Sequence, residues 1–136
     1  MLIDIDPDSE SPLYQQLRDQ VVQAIADGTL KPGDALASVR QLAVQFGINS
    51  ATVGKGYELL RQEGFVRTSR RSGSVIARGP ADDATPGFPD EWTPRLRTLL
   101  AEAVAHGMTD DSIRAAADTL LADFAAHRTD PTRSAP

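Results

Sequence analysis

The feature that most constrains the fold is a pair of short helical segments that meet at Gly47. Ser38, with Gln41 three residues later, has the capping-box pattern of a helix start. Asn49 or Ser50, both good N-caps, would start the next helix, whose apolar positions are spaced by four and three residues. Two short helices joined by a glycine turn predict a helix-turn-helix unit.

A strand-like pair follows this unit directly. Residues 65–68 and 74–77 have strand character, and the polar turn between them, 69–73, carries Arg70 and Arg71. Alone, two arginines at a loop tip would only increase solubility. After a helix-turn-helix, such a hairpin is a wing beside DNA. We therefore predict a mainly α fold with a small β-hairpin wing.

A helix precedes the unit and two more follow it. The first helix is predicted to begin with Ser11 as N-cap and Pro12 at the first helical position, and to end at Gly28. We predict a winged helix-turn-helix domain over 1–78 and a proline-rich linker over 79–90.

Beyond the linker we predict a two-helix dimerisation hairpin over 91–128, with arms of about two or three turns and Thr109 as the N-cap of the second arm, then a disordered tail over 129–136. So small a hairpin cannot bury its own apolar stripes, so a second copy of the chain is the expected partner; the alternative is packing on its own winged domain. The predicted dimer interface consists of Leu96, Leu99, Leu100, Val104, Ile113, Leu120, Leu121 and Phe124.

Charge is unevenly distributed along the 136 residues. The chain carries a net charge of −5, yet residues 36–78 carry +5 and each flanking block carries −5. Clustered cations, rather than the overall charge, mark a surface that binds a polyanion. The same block could otherwise be an ordinary solvated basic face.

Composition excludes several classes of protein. No cysteine is present, so no disulfide or thiolate metal site is expected, and the two histidines lack a catalytic context. No glycine-rich phosphate loop occurs, and Asp110 with Asp111 is best explained as helix capping. We expect no enzyme, metal or cofactor. The N-terminus lacks a signal peptide and no apolar run could span a bilayer, which predicts a cytoplasmic protein with no membrane partner.

Residues 11–78 resemble the GntR family of bacterial regulators. The resemblance lies in Pro12 to Leu17, Gly28 to Asp34, Ser38 to Ala43, and the stretch from Thr52 through Glu63-Gly64. The C-terminal region, including residues 102–109, is similar to that of the YtrA subfamily.

The resemblance implies a homodimer that binds a pseudo-palindromic double-stranded DNA operator, generally as a repressor. It implies that Arg40 holds phosphate and that the start of the recognition helix meets the major groove, with the wing at the minor groove. The implied groove contacts are Asn49, Ser50, Ala51 and Thr52 for the helix and Arg70, Arg71, Ser72 and Gly73 for the wing.

The chain departs from the family at three positions: Ala37 stands where proline is usual, Ser50 where arginine is common, and Arg71 where glycine is common. The operator sequence therefore cannot be copied from relatives. Gly54 and Gly56 within the recognition helix are also unusual. Either the backbone approaches DNA at Gly54 or glycine is simply tolerated.

Physical chemistry supports the same roles. The start of the second helix, with Ser38 and Arg40, offers free N–H groups and positive charge to a phosphate. Asn49 could bond adenine or act only as an N-cap, and Lys55 could reach guanine or phosphate, while Ala51 and Thr52 could contact a thymine methyl.

Two alternatives stay open. The chain could be a protein-interaction module that uses a winged fold without specific DNA binding. A small-molecule effector would need a pocket of roughly 300–1,000 Å³, which the short C-terminal region could supply only if both subunits lined it.

Overall fold

The computed structural model describes residues 3–129. Helix α1 spans Leu13–Ala26 and its N-cap is Pro12, with no capping side chain. The prediction that Ser11 caps this helix is therefore wrong. The Ser11 carbonyl instead accepts a bond of 2.8 Å from the Gln16 side chain, and the extended ψ of 148° at Pro12 makes the proline the last non-helical residue.

Two further helices form the predicted helix-turn-helix. Helix α2 spans Val39–Phe46 and ends at Gly47, which has a left-handed φ of 64°. Helix α3 spans Ser50–Gln62 and packs on both α1 and α2. The core lies between these helices, and its most deeply buried large side chains are Tyr57, Leu17, Leu60, Ile76, Val21 and Val53.

Strands β1, Val66–Ser69, and β2, Gly73–Ile76, form the antiparallel wing hairpin. The strands are displaced by one residue from the predicted 65–68 and 74–77, because Ser69 pairs with Gly73 and the loop shortens to 70–72. Ala35 makes a β-bridge to Val75, so the segment before α2 lies along the wing. The wing is thus attached to the helix-turn-helix twice, because β1 follows α3 along the chain and β2 bridges to the segment before α2.

Helix α4 spans Phe88–Ala105 and α5 spans Asp110–Thr129. Helix α4 begins within the predicted linker, 79–90, since Gly87 supplies a left-handed N-cap and an early proline with two acids favours the first turn. The arms are 18 and 20 residues long, about five turns each, so the predicted two or three turns were too few. Thr109 accepts the Ser112 N–H at 3.1 Å, which confirms its capping role.

The two arms make few contacts with each other and bury no residue completely. Helix α5 returns to the winged domain at its end, where Arg128 Nη1 donates to the Ala26 carbonyl at 2.9 Å. Of the predicted tail, Thr129 closes α5, and residues 130–136 lie outside the described part of the chain. Within residues 3–129, no helix combines the length and apolar character that a membrane crossing requires.

Candidate nucleic-acid interface

The start of α2 is a preformed capping structure. The Ser38 hydroxyl accepts the Gln41 N–H at 3.0 Å, and the Gln41 side chain accepts the Ser38 N–H at 3.0 Å. Arg40 lies within this first turn with its side chain exposed. A guanidinium beside a helix N-terminus can hold one phosphate oxygen through charge-assisted bonds. The Ser38 hydroxyl can still donate its hydrogen to a phosphate, but Arg40 carries a full charge and five N–H donors, so it is the stronger phosphate ligand of the two.

The start of α3 is capped by Asn49, whose side-chain oxygen accepts the Ala51 N–H at 2.8 Å. The sequence left open whether this residue caps the helix or reads adenine. In the structure it caps, which leaves its amide N–H₂ free and ties its acceptor oxygen to the backbone. Ser50 and Ala51 beside it are exposed, and Thr52 is half-buried.

Helical periodicity defines the outward face of α3. Val53, Gly56, Tyr57 and Leu60 are buried, so the opposite side of the helix presents Ala51, Lys55, Glu58 and Gln62, all exposed. Glu58 and Gln62 were not among the contacts predicted from the sequence. The 3.6-residue repeat that identified the buried stripe contained the signal for both.

Lys55 is held by an aromatic ring. Its Nζ lies 4.0 Å from the centroid of the Tyr14 ring, a cation–π contact that links α3 to α1. No carboxylate of residues 3–129 pairs with this ammonium. The ring therefore orients the cation without neutralising it.

The tip of the wing is ordered by hydrogen bonds from its backbone to the Ser69 side chain. The Ser69 hydroxyl oxygen accepts the N–H groups of Arg71 and Ser72 at 3.3 and 3.4 Å. Gly73 closes the loop with a left-handed φ of 69°, which an L side chain rarely adopts. Arg70, Arg71 and Ser72 are exposed at this tip.

Two arginines of the basic block, Arg61 and Arg78, bond to other residues of the chain. Arg61 pairs with Glu58 at 3.1 Å, and Arg78 donates to the Asp83 carbonyl and the Thr85 hydroxyl in the linker. Among the described residues, the cations of the block that lack a carboxylate partner and lie on α2, α3 or the wing are Arg40, Lys55, Arg67, Arg70 and Arg71. Arg67, exposed on β1, was not singled out from the sequence.

Buried contacts hold α3 in place behind this surface. The Tyr57 hydroxyl donates to the Ala37 carbonyl at 2.6 Å, and burial raises the pKa of Tyr57 to about 12. This bond anchors the backbone just before α2. At Gly56, an added Cβ would lie 3.0 Å from Leu17 Cδ2 and 3.1 Å from the Tyr14 carbonyl oxygen. Glycine there allows close packing of α3 on α1.

The apolar residues predicted for dimerisation remain open to solvent. Leu99, Leu100, Val104, Leu120 and Leu121 are between 39% and 64% exposed. Leu96, Ile113 and Phe124 are half-buried. Within residues 3–129, no group of three or more histidine, aspartate or glutamate side chains could hold a metal ion.

Comparison with known proteins places this geometry among bacterial regulators. A model described as "Bacterial regulatory proteins, gntR family" matches residues 13–76. The transcriptional repressor YtrA of Bacillus subtilis is 35% identical over 102 residues, which cover 75% of this chain and 78% of that protein.

Solved structures extend the similarity. YtrA from Sulfolobus acidocaldarius, a GntR-family transcription factor, is 36% identical with a TM-score of 0.61, over 77% of this chain and 99% of that one. A transcriptional antiterminator from Listeria monocytogenes is 25% identical with a TM-score of 0.82, over 91% of this chain and 92% of that one. A structural match over 91% of this chain is too long to involve the winged domain alone. The shared fold therefore includes the C-terminal hairpin.

Proposed function

This chain belongs to the gntR family of bacterial regulatory proteins and is a DNA-binding transcriptional regulator, and we propose that it represses transcription by binding a pseudo-palindromic operator as a homodimer. Access to chromosomal DNA requires that it work in the cytoplasm. One observation carries the proposal: cations of the basic block that have no carboxylate partner in the described part of the chain lie on α2, α3 and the wing.

These elements divide the work of binding. Arg40 and the wing arginines contact phosphates, which sets the position of the protein on the duplex and reads no sequence. The outward start of α3 lies in the major groove, where Ser50, Ala51 and Lys55 meet base edges. Since Asn49 keeps only its N–H₂ group free of the cap, it donates to one base acceptor instead of reading adenine in two places.

Two copies of the chain are required for specificity. One module presents few base-reading side chains, whereas a dimer addresses two half-sites about one helical turn apart. The exposed apolar faces of α4 and α5 form the dimer interface and cover the leucines that a monomer leaves in water. The acidic C-terminal region then lies away from the phosphates.

Selection of bound DNA from a random pool tests the proposal. We expect an inverted repeat whose half-sites are centred about 10 base pairs apart, or a multiple of that. Sequencing of the enriched pool gives operator, spacing and symmetry together. Enrichment of a single unrepeated site would contradict the dimer, and no enrichment at all would favour a protein-interaction module.

A further inference from the structure

A cleft of about 810 Å³ lies between the winged domain and the C-terminal hairpin. Its walls come from α1, the end of α3, the residue before β1, the linker, α4 and the last turn of α5. This volume falls within the range of small-molecule sites. A single chain thus lines a cavity that the C-terminal region alone was too small to form.

The polar part of the wall is dominated by arginine. Arg18 is paired with Glu63 and Asp19. Arg78 and Arg95 also line the cleft, and neither has a carboxylate within 4.0 Å among residues 3–129. Glu63 and Glu91 are the carboxylates of the lining. With Arg128 included, the wall carries four arginines against two glutamates and favours an anion.

The donors of Arg78 are only partly used. Its guanidinium has five N–H groups, and it donates to the Thr85 hydroxyl at 2.5 Å and to the Asp83 carbonyl at 2.6 Å. Arg95 lies with its guanidinium carbon 5.9 Å from the centroid of the Phe88 ring. Guanidinium groups with spare donors bind carboxylate and phosphate in a bidentate manner.

The rest of the lining is largely apolar. Phe65 and Phe88 contribute rings, and Val22, Ile25 and Leu59 contribute aliphatic surface. A ligand that satisfies both parts of the wall carries one anionic group on an apolar body.

We propose that this cleft binds a small amphipathic anion, a carboxylate or phosphate ester with an apolar body, and that its binding regulates the DNA-binding function proposed above. The regulatory part rests on that function; the site itself does not. Neither part requires a particular operator.

The route to regulation is competition for Arg78. A charged acceptor forms stronger hydrogen bonds with guanidinium than a carbonyl or hydroxyl does. An anion that turns the planar guanidinium toward itself, so as to bind two of its donors, draws Arg78 away from Asp83 and Thr85, the contacts that attach the linker to the chain just after β2. The linker sets the orientation of the hairpin relative to the winged domain, so its release changes the separation of the two recognition helices in a dimer.

Titration calorimetry on the full chain without DNA tests the site. The probes are octanoate and octyl phosphate, with octan-1-ol and octylammonium as matched controls of the same chain length. We expect at least one anion to bind about tenfold or more tightly than both controls, because only an anion gains the charge-assisted bonds. The stronger anion identifies the head group. Equal affinities for all four probes, or no binding, would overturn the proposal.

Variants locate the binding. Arg95→Ala and Arg78→Ala should each weaken anion binding about tenfold, because each removes a charge-assisted donor. Arg97→Ala, the same change two residues along α4 and outside the lining, should leave binding unchanged. Arg95 is exposed and makes no ion pair with residues 3–129, so its replacement does not endanger folding. Equal losses in all three variants would indicate non-specific attraction and refute the site.

A DNA-binding measurement separates the two proposals. Operator affinity in the absence of probe tests only the repressor function. If the anion binds and the site is regulatory, operator affinity should change about fivefold or more at saturation. Anion binding with unchanged operator affinity would refute the regulation while the site stands, and absence of any operator would refute the repressor function alone.

Discussion

Single residues of the interface act through different contacts, and Arg40 and Lys55 show the contrast. Arg40 is a guanidinium at a helix start with no carboxylate partner among residues 3–129, whereas Lys55 is an ammonium held 4.0 Å above the Tyr14 ring on the outward face of α3. The position of Arg40 suits a phosphate group, which every DNA sequence carries. Lys55 lies on the face of α3 that we propose reads base edges.

Arg40→Ala should therefore weaken binding to operator and random DNA by the same factor, about tenfold, because a phosphate contact carries no sequence information. Lys55→Ala should cost more on the operator than on random DNA. Fluorescence anisotropy on both duplexes measures this, with Arg114→Ala on α5 as a charge-matched control. An operator-selective loss for Arg40, or equal losses for Lys55, would contradict these roles.

The two glycines of α3 should respond in opposite directions to alanine. A Cβ at Gly56 meets Leu17 and the Tyr14 carbonyl, so Gly56→Ala should lower the free energy of unfolding by about 1–3 kcal/mol. A Cβ at Gly54 has no atom of the described residues within 4 Å, so Gly54→Ala should raise it by about 0.5–1 kcal/mol. Urea denaturation measures both. Weaker operator binding by the stabilised Gly54→Ala protein would show that DNA approaches the backbone there.

Tyr57 predicts a pH dependence of stability. Its phenol has a pKa of about 12 in the folded chain and about 10 when unfolded, so the unfolded state releases the proton first. The protonated phenol contributes to the free energy of unfolding. This contribution is fully present below pH 10 and is lost as the pH rises towards 12. Tyr57→Phe should lower stability by about 1–2 kcal/mol at neutral pH, because the Ala37 carbonyl loses its donor.

Denaturation curves of both proteins between about pH 9 and 12 test this. The difference in stability between wild type and Tyr57→Phe should shrink as the pH rises. A constant difference would mean that the phenol ionises equally in both states.

Among the elements, the wing is a short hairpin whose position depends on its neighbours. The bridge from Ala35 to Val75 and the bond from the Leu36 N–H to the Ser74 carbonyl, 2.8 Å, hold it beside the start of α2. A two-stranded hairpin alone is only marginally stable in water. The attachment therefore places Arg70 and Arg71 at a defined distance from Arg40.

Replacing Arg70 and Arg71 together by alanine should leave two phosphates per protomer without a cation. The slope of log K against log salt should become shallower by about 0.9 for each phosphate that is no longer neutralised, while the choice among operator sequences should change little. Affinity measured over a series of salt concentrations gives the slope. An unchanged slope would place the wing away from the phosphates.

For the whole molecule, the decisive fact is that α4 and α5 leave large apolar side chains in water. Leu120 and Leu121 are 58% and 64% exposed, and the two arms hardly touch each other. An apolar surface of this kind marks an interaction site. In the homodimer proposed above, this surface would set the separation of the two recognition helices.

Leu120→Asp should give a folded monomer that binds the operator about a hundredfold more weakly, because an unpaired charge would be buried in the interface. Ala115→Asp adds the same charge on a different face of α5 and should leave the dimer intact. Sedimentation at several concentrations, with circular dichroism as a check of folding, measures both. A dimeric Leu120→Asp protein would exclude this face as the interface.

The sequence by itself determined the elements that depend on local rules. The capping box at Ser38, the turn at Gly47 and the buried stripe of Val53, Tyr57 and Leu60 follow from periodicity and capping, and the structure confirms each. The family followed from motifs at the same positions.

Only the tertiary structure decided which charges are available. It seats Lys55 of α3 over the Tyr14 ring of α1 and pairs Arg18 of α1 with Glu63 at the end of α3. It also opens the arginine-lined cleft between the two parts of the chain. Such pairings join residues whose contact depends on how the helices pack. Counting charged residues along the sequence gives the net charge of a segment but does not show which charges are paired.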